Sequence, residues 1–337
     1  MLATVAFKQL TKRMLLGGRI TRMLGRFSPP GAVILMYHSV QPDPARFART
    51  IGEGIIHTAA IFQRQMERLS REFHPVTLDQ VQRFLSGDAP LPRRAVAVTF
   101  DDGFRDNYEI AAPILQRCGI PATFYITAGC IPSGKAPWFS RIRYLFHATP
   151  EPQWNDEGGR AWELCDAAAR SQAALVAMQH CAKLTGDPQE AYLTRLEQNL
   201  ACASSPACDG LMLTWQQIQA LARAGHSIGS HSLTHPNLAH ISPAEVRHEL
   251  QQSKRLLEER LAVPVRHFSY PCAILYPHWN QQTETLCRES GYQTATICQQ
   301  GVVRAGQRAM SLNRLPAPAH FDDFQWHIEA TFWGRRV

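Results

Sequence analysis

The residues best suited to chemistry gather at the ends of short apolar runs. Thr99-Phe100-Asp101-Asp102-Gly103 sets two adjacent carboxylates behind one such run. Carboxylates so close repel unless a cation or a shared proton compensates, so one Asp suits a metal ligand and its neighbour a free base. Asp-Gly is also a favoured turn pair, and for that segment alone a plain turn is the other reading. His231-Ser232-Leu233-Thr234-His235 carries two imidazoles four positions apart. On a helical turn this spacing puts both on one side. Two histidines with a carboxylate from elsewhere make the three protein ligands of an open catalytic zinc site, whose fourth position holds water. Chance pairs are expected among 14 histidines, with His240 and His248 close by. Tyr37-His38 and Tyr270-Pro271 sit in equivalent places behind two further apolar runs.

Elements must bring these segments together. Runs rich in β-branched and aromatic residues at 32–37, 95–100, 122–127, 226–229, 267–270 and 294–298 read as buried strands. Helical patterns lie between most of them, at 62–69, 81–85, 108–118, 215–224 and 243–261, the last opened by a capping box of Ser242 and Glu245. The alternation predicts an α/β fold, a parallel sheet covered by helices and either open or closed into a barrel. In such folds sites form at the C-terminal strand ends, which is where all four segments fall. Residues 135–212 break the alternation and read as a mainly helical insertion, with helices expected over 161–184 and 189–203. It is either a cap over the site or an embellishment of the scaffold.

Composition narrows the function classes. Of the formal charge of +7, six charges come from Lys8, Lys12, Arg13, Arg19, Arg22 and Arg26, with no acid before Asp43. The remainder is nearly neutral, which argues against a nucleic-acid reader. Residues 1–30 form a basic arm. Its apolar residues recur at helical spacing, as in a helix lying on an anionic membrane surface or one packed on the flank of the domain. No run there is apolar enough for a signal peptide, and no segment is long enough to span a bilayer. Nine cysteines without paired spacing suit a reducing compartment. The expected location is the cytoplasm, at the periphery of the inner membrane face. Nothing in the sequence indicates an oligomeric state.

Taken together, TFDDGF at 99–104, SHSLTHP at 230–236 and FSYP at 268–271 resemble the signatures of the polysaccharide deacetylase family, the carbohydrate esterases (family 4) with a NodB-type domain. The flanking GIPATFYIT at 119–127 and LTWQQIQALARAGHSIGSH at 213–231 agree. The resemblance covers about residues 32–130 and 211–316, and implies a distorted (β/α) barrel of about seven strands. The expected domain is therefore discontinuous, 31–134 with 213–320, interrupted by the 135–212 insertion and followed by a tail at 321–337.

By the same resemblance, Asp102, His231 and His235 match the metal ligands and Asp101 the catalytic base, and Tyr270 matches the residue whose backbone N–H binds the oxyanion. The metal implied is zinc, with cobalt, nickel or iron as alternatives. The family's C-terminal strand ending in a catalytic histidine is not recognisable. VILMYHSV at 33–40 instead resembles the subgroup acting on poly-N-acetylglucosamine, in which the histidine of Tyr-His is the general acid. His38 is therefore the expected acid, with His320 and His327 next. Arg266 and Arg314 both lie near segments where the family has an arginine that orients the base, and either would lower the Asp101 pKa and fix its rotamer. Cys272-Ala273 replaces the usual aromatic-glycine pair.

The resemblance implies a hydrolase of carbon-nitrogen bonds other than peptide bonds, removing N-acetyl groups from an amino-sugar saccharide, either an exopolysaccharide or a lipid-linked precursor. An O-acetyl esterase or deformylase with the same site is the nearest rival, and a catalytically silent carbohydrate-binding barrel the more distant one.

Overall fold

The computed structural model describes residues 30–203 and 208–335. Nine strands form one sheet: β1 (Ala32–Tyr37), β2 (His74–Pro75), β3 (Ala95–Phe100), β4 (Ala122–Ile126), β5 (Ser227–Ser230), β6 (His267–Ser269), β7 (Thr294–Ile297), β8 (Leu312–Asn313) and β9 (Leu315–Pro316). Their order is β8-β7-β6-β5-β4-β3-β1-β9, with β2 pairing β3, and all pairings are parallel. β3 (AVAVTF) and β4 (ATFYI) are buried throughout, as expected of strands covered on both faces. β8 and β9 end the path on opposite sides, yet Arg314 alone separates them in sequence. The two edges thus meet at one residue, and the sheet closes into a nearly complete barrel. The six anticipated strands appear within a residue or two at their ends, and the barrel is completed by the two-residue strands β2, β8 and β9.

Helices α1 (Ala59–Glu72), α2 (Leu78–Leu85) and α3 (Ala112–Cys118) cover the first strands, α3 continuing a π-turn over Asn107–Ala111. α4 (Trp138–Ala148), α5 (Ala167–Cys181) and α6 (Gly186–Asn199) belong to the insertion. α7 (Trp215–Arg223), α8 (Pro243–Leu261), α9 (Gln281–Glu289) and α10 (Phe321–Phe332) complete the coat. The capping box at Ser242 and Glu245 opens α8, and Thr77, Thr214 and Asn280 start α2, α7 and α9 in the same way.

Three expectations need correction. Residues 161–163 do not begin a helix: Ala161–Glu163 pairs with Gln153–Asn155 as a hairpin. α5 starts only at Ala167, where the Asp166 side chain accepts from the Ala169 N–H and caps it. α4 escaped the sequence pattern because its polar Ser140 and Arg141 are buried along with Trp138, Phe139, Ile142, Leu145 and Phe146, so polar positions do not mark an exposed face. Residues 321–332 are α10 rather than a tail. Its Phe324, Ile328 and Phe332 are buried, and its buried Glu329 pairs with Arg68 at 3.2 Å and Arg94 at 2.7 Å. The basic arm of residues 1–30, expected to be an amphipathic helix, lies outside the described residues apart from its last position.

Candidate active site at the strand ends

Four strand ends converge as anticipated. β1 leads into His38, β3 into Asp101 and Asp102, β5 into His231 and β6 into Tyr270. All five of those residues, with His235, line one pocket of about 290 Å³. Backbone bonds lock the loops: Asp101 N–H donates to Tyr37 O at 2.9 Å, and His231 N–H to Ile126 O at 2.9 Å. Seven described residues other than glycine have positive φ, and four of them, Asp102, Ser232, His235 and Cys272, lie here. Such conformations cost free energy and persist only where the surroundings over-determine them, which is characteristic of functional sites.

The helical turn expected of His231 and His235 is absent. Ser232 and His235 have φ of 66° and 64°, so the chain folds as a tight loop that still brings the rings to 4.8 Å between centroids. Glu249 of α8 holds this loop. Its buried carboxylate accepts from Leu233 N–H and Thr234 N–H, each at 2.8 Å, and from Thr234 Oγ1 at 2.6 Å. A Glu on the face of α8 shared by Val246, Leu250 and Leu257 is the sequence signal that could have found it.

Asp102, His231 and His235 each bring one ligand atom to within 4.8 Å of the other two, and all three are buried. His235 Nε2 lies 3.3 Å and His231 Nε2 3.5 Å from Asp102 Oδ1. The Ser269 carbonyl, 2.8 Å from His231 Nδ1, can only accept, so the proton sits on Nδ1 and Nε2 presents a lone pair. Burial pushes the His231 imidazole down to about 4, which keeps it neutral. Burial would raise the Asp102 carboxyl, but the His235 hydrogen bond and the nearby histidines together outweigh it and the acid is held below its ordinary range. A buried carboxylate facing two buried imidazoles fits a divalent cation of the zinc type.

Asp101 stands beside this cluster, its Oδ2 3.9 Å from His231 Nε2. Arg314, fully buried at the barrel seam, grips it from below with two parallel bonds of 2.7 Å. Burial alone would raise the Asp101 carboxyl; the guanidinium overcomes that and drives it below the ordinary carboxylate range. Arg266 plays no part here. It sits just before β6, at the opposite end of the barrel, and faces Asp79 at 3.8 Å.

The assignment to Tyr270 also needs correction. Its N–H already donates to Thr296 O at 3.1 Å, within the sheet, and its ring is buried against Trp279. Pro271 has no N–H. Cys272, at φ 65° on the pocket wall, carries the next one in the chain. His320 and His327 lie on or beside α10 and do not line the pocket.

The insertion supplies residues that sequence reasoning missed. Trp138 Nε1 donates to His235 O at 3.1 Å, the Phe139 ring lies 4.8 Å from that of His235, and Arg143 and Met178 complete the wall.

The profile of the polysaccharide deacetylase family matches residues 88–295, well over half of the 337-residue chain. The chain belongs to the polysaccharide deacetylase family. It is a hydrolase of the polysaccharide deacetylase type. "Putative polysaccharide deacetylase YxkH" of Bacillus subtilis is 21% identical over 85% of this chain and 71% of its own length. The poly-beta-1,6-N-acetyl-D-glucosamine N-deacetylase of Escherichia coli K12 is 31% identical over 96 residues, 28% of this chain and only 13% of that protein. Among solved structures, the Streptococcus pyogenes deacetylase PplD in complex with acetate superposes with a TM-score of 0.60 at 19% identity, covering 89% of this chain and 99% of its own. IcaB from Ammonifex degensii does so at 0.57 and 19%, covering 90% and 98%. Both share the fold of this deacetylase.

Proposed function

We propose that the chain removes N-acetyl groups from an amino-sugar saccharide, with Asp102, His231 and His235 as metal ligands and Asp101 as base. The observation that carries this is the juxtaposition of a buried His pair and a carboxylate with a second carboxylate locked by Arg314. A binding module has no need of a base held ionised beside a ligand triad. When bound, a divalent cation, most simply zinc, would supply charge that polarises the acetamide carbonyl and acidifies the attacking water, which a carboxylate as acidic as Asp101 requires.

The chain's own residues do the rest. Asp101 accepts a proton from the water as it attacks, its orientation set by the two Arg314 bonds. The carbonyl oxygen gathers charge and accepts from the Cys272 N–H, which takes the place of the Tyr270 N–H. His38 then donates a proton to the departing nitrogen, since an amine anion is a poor leaving group. Asn107 Nδ2 donates to the His38 carbonyl at 2.7 Å and fixes the backbone that carries the imidazole.

The relation to an enzyme named for poly-beta-1,6-N-acetyl-D-glucosamine supports a poly-N-acetylated saccharide as the substrate class. Metal analysis coupled to acetate release from chitooligosaccharides and from O-acetylated sugars, and to formate release from N-formyl amino sugars, tests the reading. Acetate release that depends on stoichiometric metal supports it; formate release, or acetate release only from O-acetyl sugars, would transfer the site to the rival chemistry.

A further inference from the structure

The mechanism leaves Arg143 unused. This arginine projects from α4 to line the catalytic pocket and also a larger cleft of about 840 Å³ between the 45–54 loop and α5. Its Nε is buried without a hydrogen-bond partner, and the guanidinium forms no ion pair with any described residue. Leaving a guanidinium N–H short of both water and a partner is costly, and native structures rarely do so without a reason. The fold nevertheless makes room for it. Gly52 has φ 104°, and a Cβ there would lie 3.0 Å from Arg143 Cζ, so only glycine lets the guanidinium rest against that backbone.

Other cations converge on the same cleft. Arg49 is exposed there without a counter-ion among the described residues, and Arg170 spends one nitrogen on the Phe146 and Thr149 carbonyls. Burial together with Arg49, Arg143 and Arg170 pushes the His147 imidazole below its ordinary range, so the three positive fields overlap at one place. Two acids also line the cleft. Asp166 is committed to capping α5, and Glu53 is exposed and within 4.0 Å of no basic group among the described residues. The catalytic pocket, at about 290 Å³, lies at the small end of ligand sites, about 300–1,000 Å³, so a saccharide longer than the reacting sugar must extend past its wall. Arg143 is part of that wall.

We propose that the cleft behind Arg143 is a second binding site, in which Arg143 and Arg49 hold an oxyanion carried by the saccharide substrate, either a phosphoryl group or a sugar carboxylate. Both anions present oxygens that match the guanidinium fork. The word substrate rests on the deacetylase reading; the anion site does not.

Calorimetric titration of the full chain with inorganic phosphate, and separately with glucuronate, tests the site without turnover. The expected result is binding of at least one anion, weakened about tenfold or more in Arg49→Gln and in Arg143→Gln. The anion that shows the loss names the group. Arg49→Gln is a surface change on an exposed residue, so the test survives if Arg143→Gln fails to fold. Affinities for both anions that are undetectable, or unchanged by the Arg49 substitution, would overturn the proposal. A kinetic arm compares N-acetylglucosamine 1-phosphate and a hyaluronan tetrasaccharide with neutral chitotetraose. Arg49→Gln should raise KM for the matching anionic sugar by about tenfold while chitotetraose turnover stays within about twofold. Absence of acetate release from every saccharide, with the anion titrations intact, would sink the deacetylase reading and leave the anion site standing.

Discussion

At the scale of single residues the decisive feature is the division of labour between two neighbouring aspartates. Asp101 is locked by Arg314, whereas Asp102 faces the imidazoles. Asp101→Asn keeps size and removes the proton acceptor, so kcat for acetate release should fall by roughly 10² to 10⁴ with metal content nearly unchanged. Asp102→Asn should lose metal as well. Loss of metal in the Asp101 variant, measured by elemental analysis, would place that residue among the ligands instead. Removing the guanidinium separates burial from charge at Asp101. In Arg314→Met the acid limb of the pH-rate profile should move to higher pH, because burial raises the carboxyl once its partner is gone. Such a variant leaves a buried charge unpaired and should lose about 3–5 kcal/mol in urea unfolding. An acid limb that stays put would detach that limb from Asp101. His38→Ala should damage N-acetyl substrates more than activated esters, whose leaving groups depart without a proton, and should remove the alkaline limb. Equal losses on both substrates would remove His38 from the acid role.

At the scale of elements, two contacts across the fold hold the reacting groups. α8 reaches the 231–235 loop through Glu249, and α4 reaches it through Trp138. Glu249→Ala deletes the acceptor for two backbone amides and one hydroxyl but touches no ligand. Metal affinity should drop by about 10–100-fold while the far-UV spectrum is kept, as when any outer partner of a ligand is removed. An unchanged metal titration would assign the loop's order to Trp138 and to the Ala128 and Gly129 bonds with Ser232 and Leu233. The insertion, for which the sequence left cap and embellishment open, supplies Trp138, Phe139, Arg143 and Met178 to the pocket. Its strongest helix in that respect, α4, is also the one hidden from periodicity, since it buries Ser140 and Arg141 together with its apolar residues and so does not set a polar face against an apolar one.

At the scale of the whole molecule, buried histidines govern the response to acid. Burial holds His57, His231 and His278 each at about 4, below the 6.5 of an exposed imidazole. Between these values the unfolded chain binds more protons than the folded one, so unfolding free energy should rise with pH across that window and be complete above it. Asp106 acts in the opposite sense: burial raises it from 3.8 to about 7, so its contribution is full below 3.8 and is lost as pH rises through 7. Three groups outweigh one. Urea unfolding of metal-free protein should therefore gain stability on the order of a few kcal/mol from pH 4 to pH 6.5. A profile that falls over this interval would mean that the histidines are not held neutral. The N-terminal arm is tested separately. Deleting residues 1–28 should release the protein from anionic vesicles, as should salt. Retained binding after truncation would favour packing on the flank of the domain, the other reading of the basic pattern.

The sequence by itself determined the strands, their C-terminal ends and the residues Asp101, Asp102, His231 and His235, because strand burial and motif spacing are written in neighbouring positions. It also marked His38, and Arg314 and Arg266 as candidates for the arginine that orients the base. Only the tertiary structure chose Arg314 over Arg266: the first occupies the seam where β8 and β9 close the barrel and meets Asp101 across 213 positions, while the second lies at the opposite end of the barrel. The same holds for the exchange of Tyr270 for Cys272, which turns on which N–H the sheet has already consumed. It holds for Glu249 and Trp138 too, whose partners are backbone groups of a loop in left-handed conformations. Pattern and spacing are local properties of the chain. Closure of the barrel, and the donors and acceptors it leaves free at its mouth, follow from contacts between segments that only folding brings together.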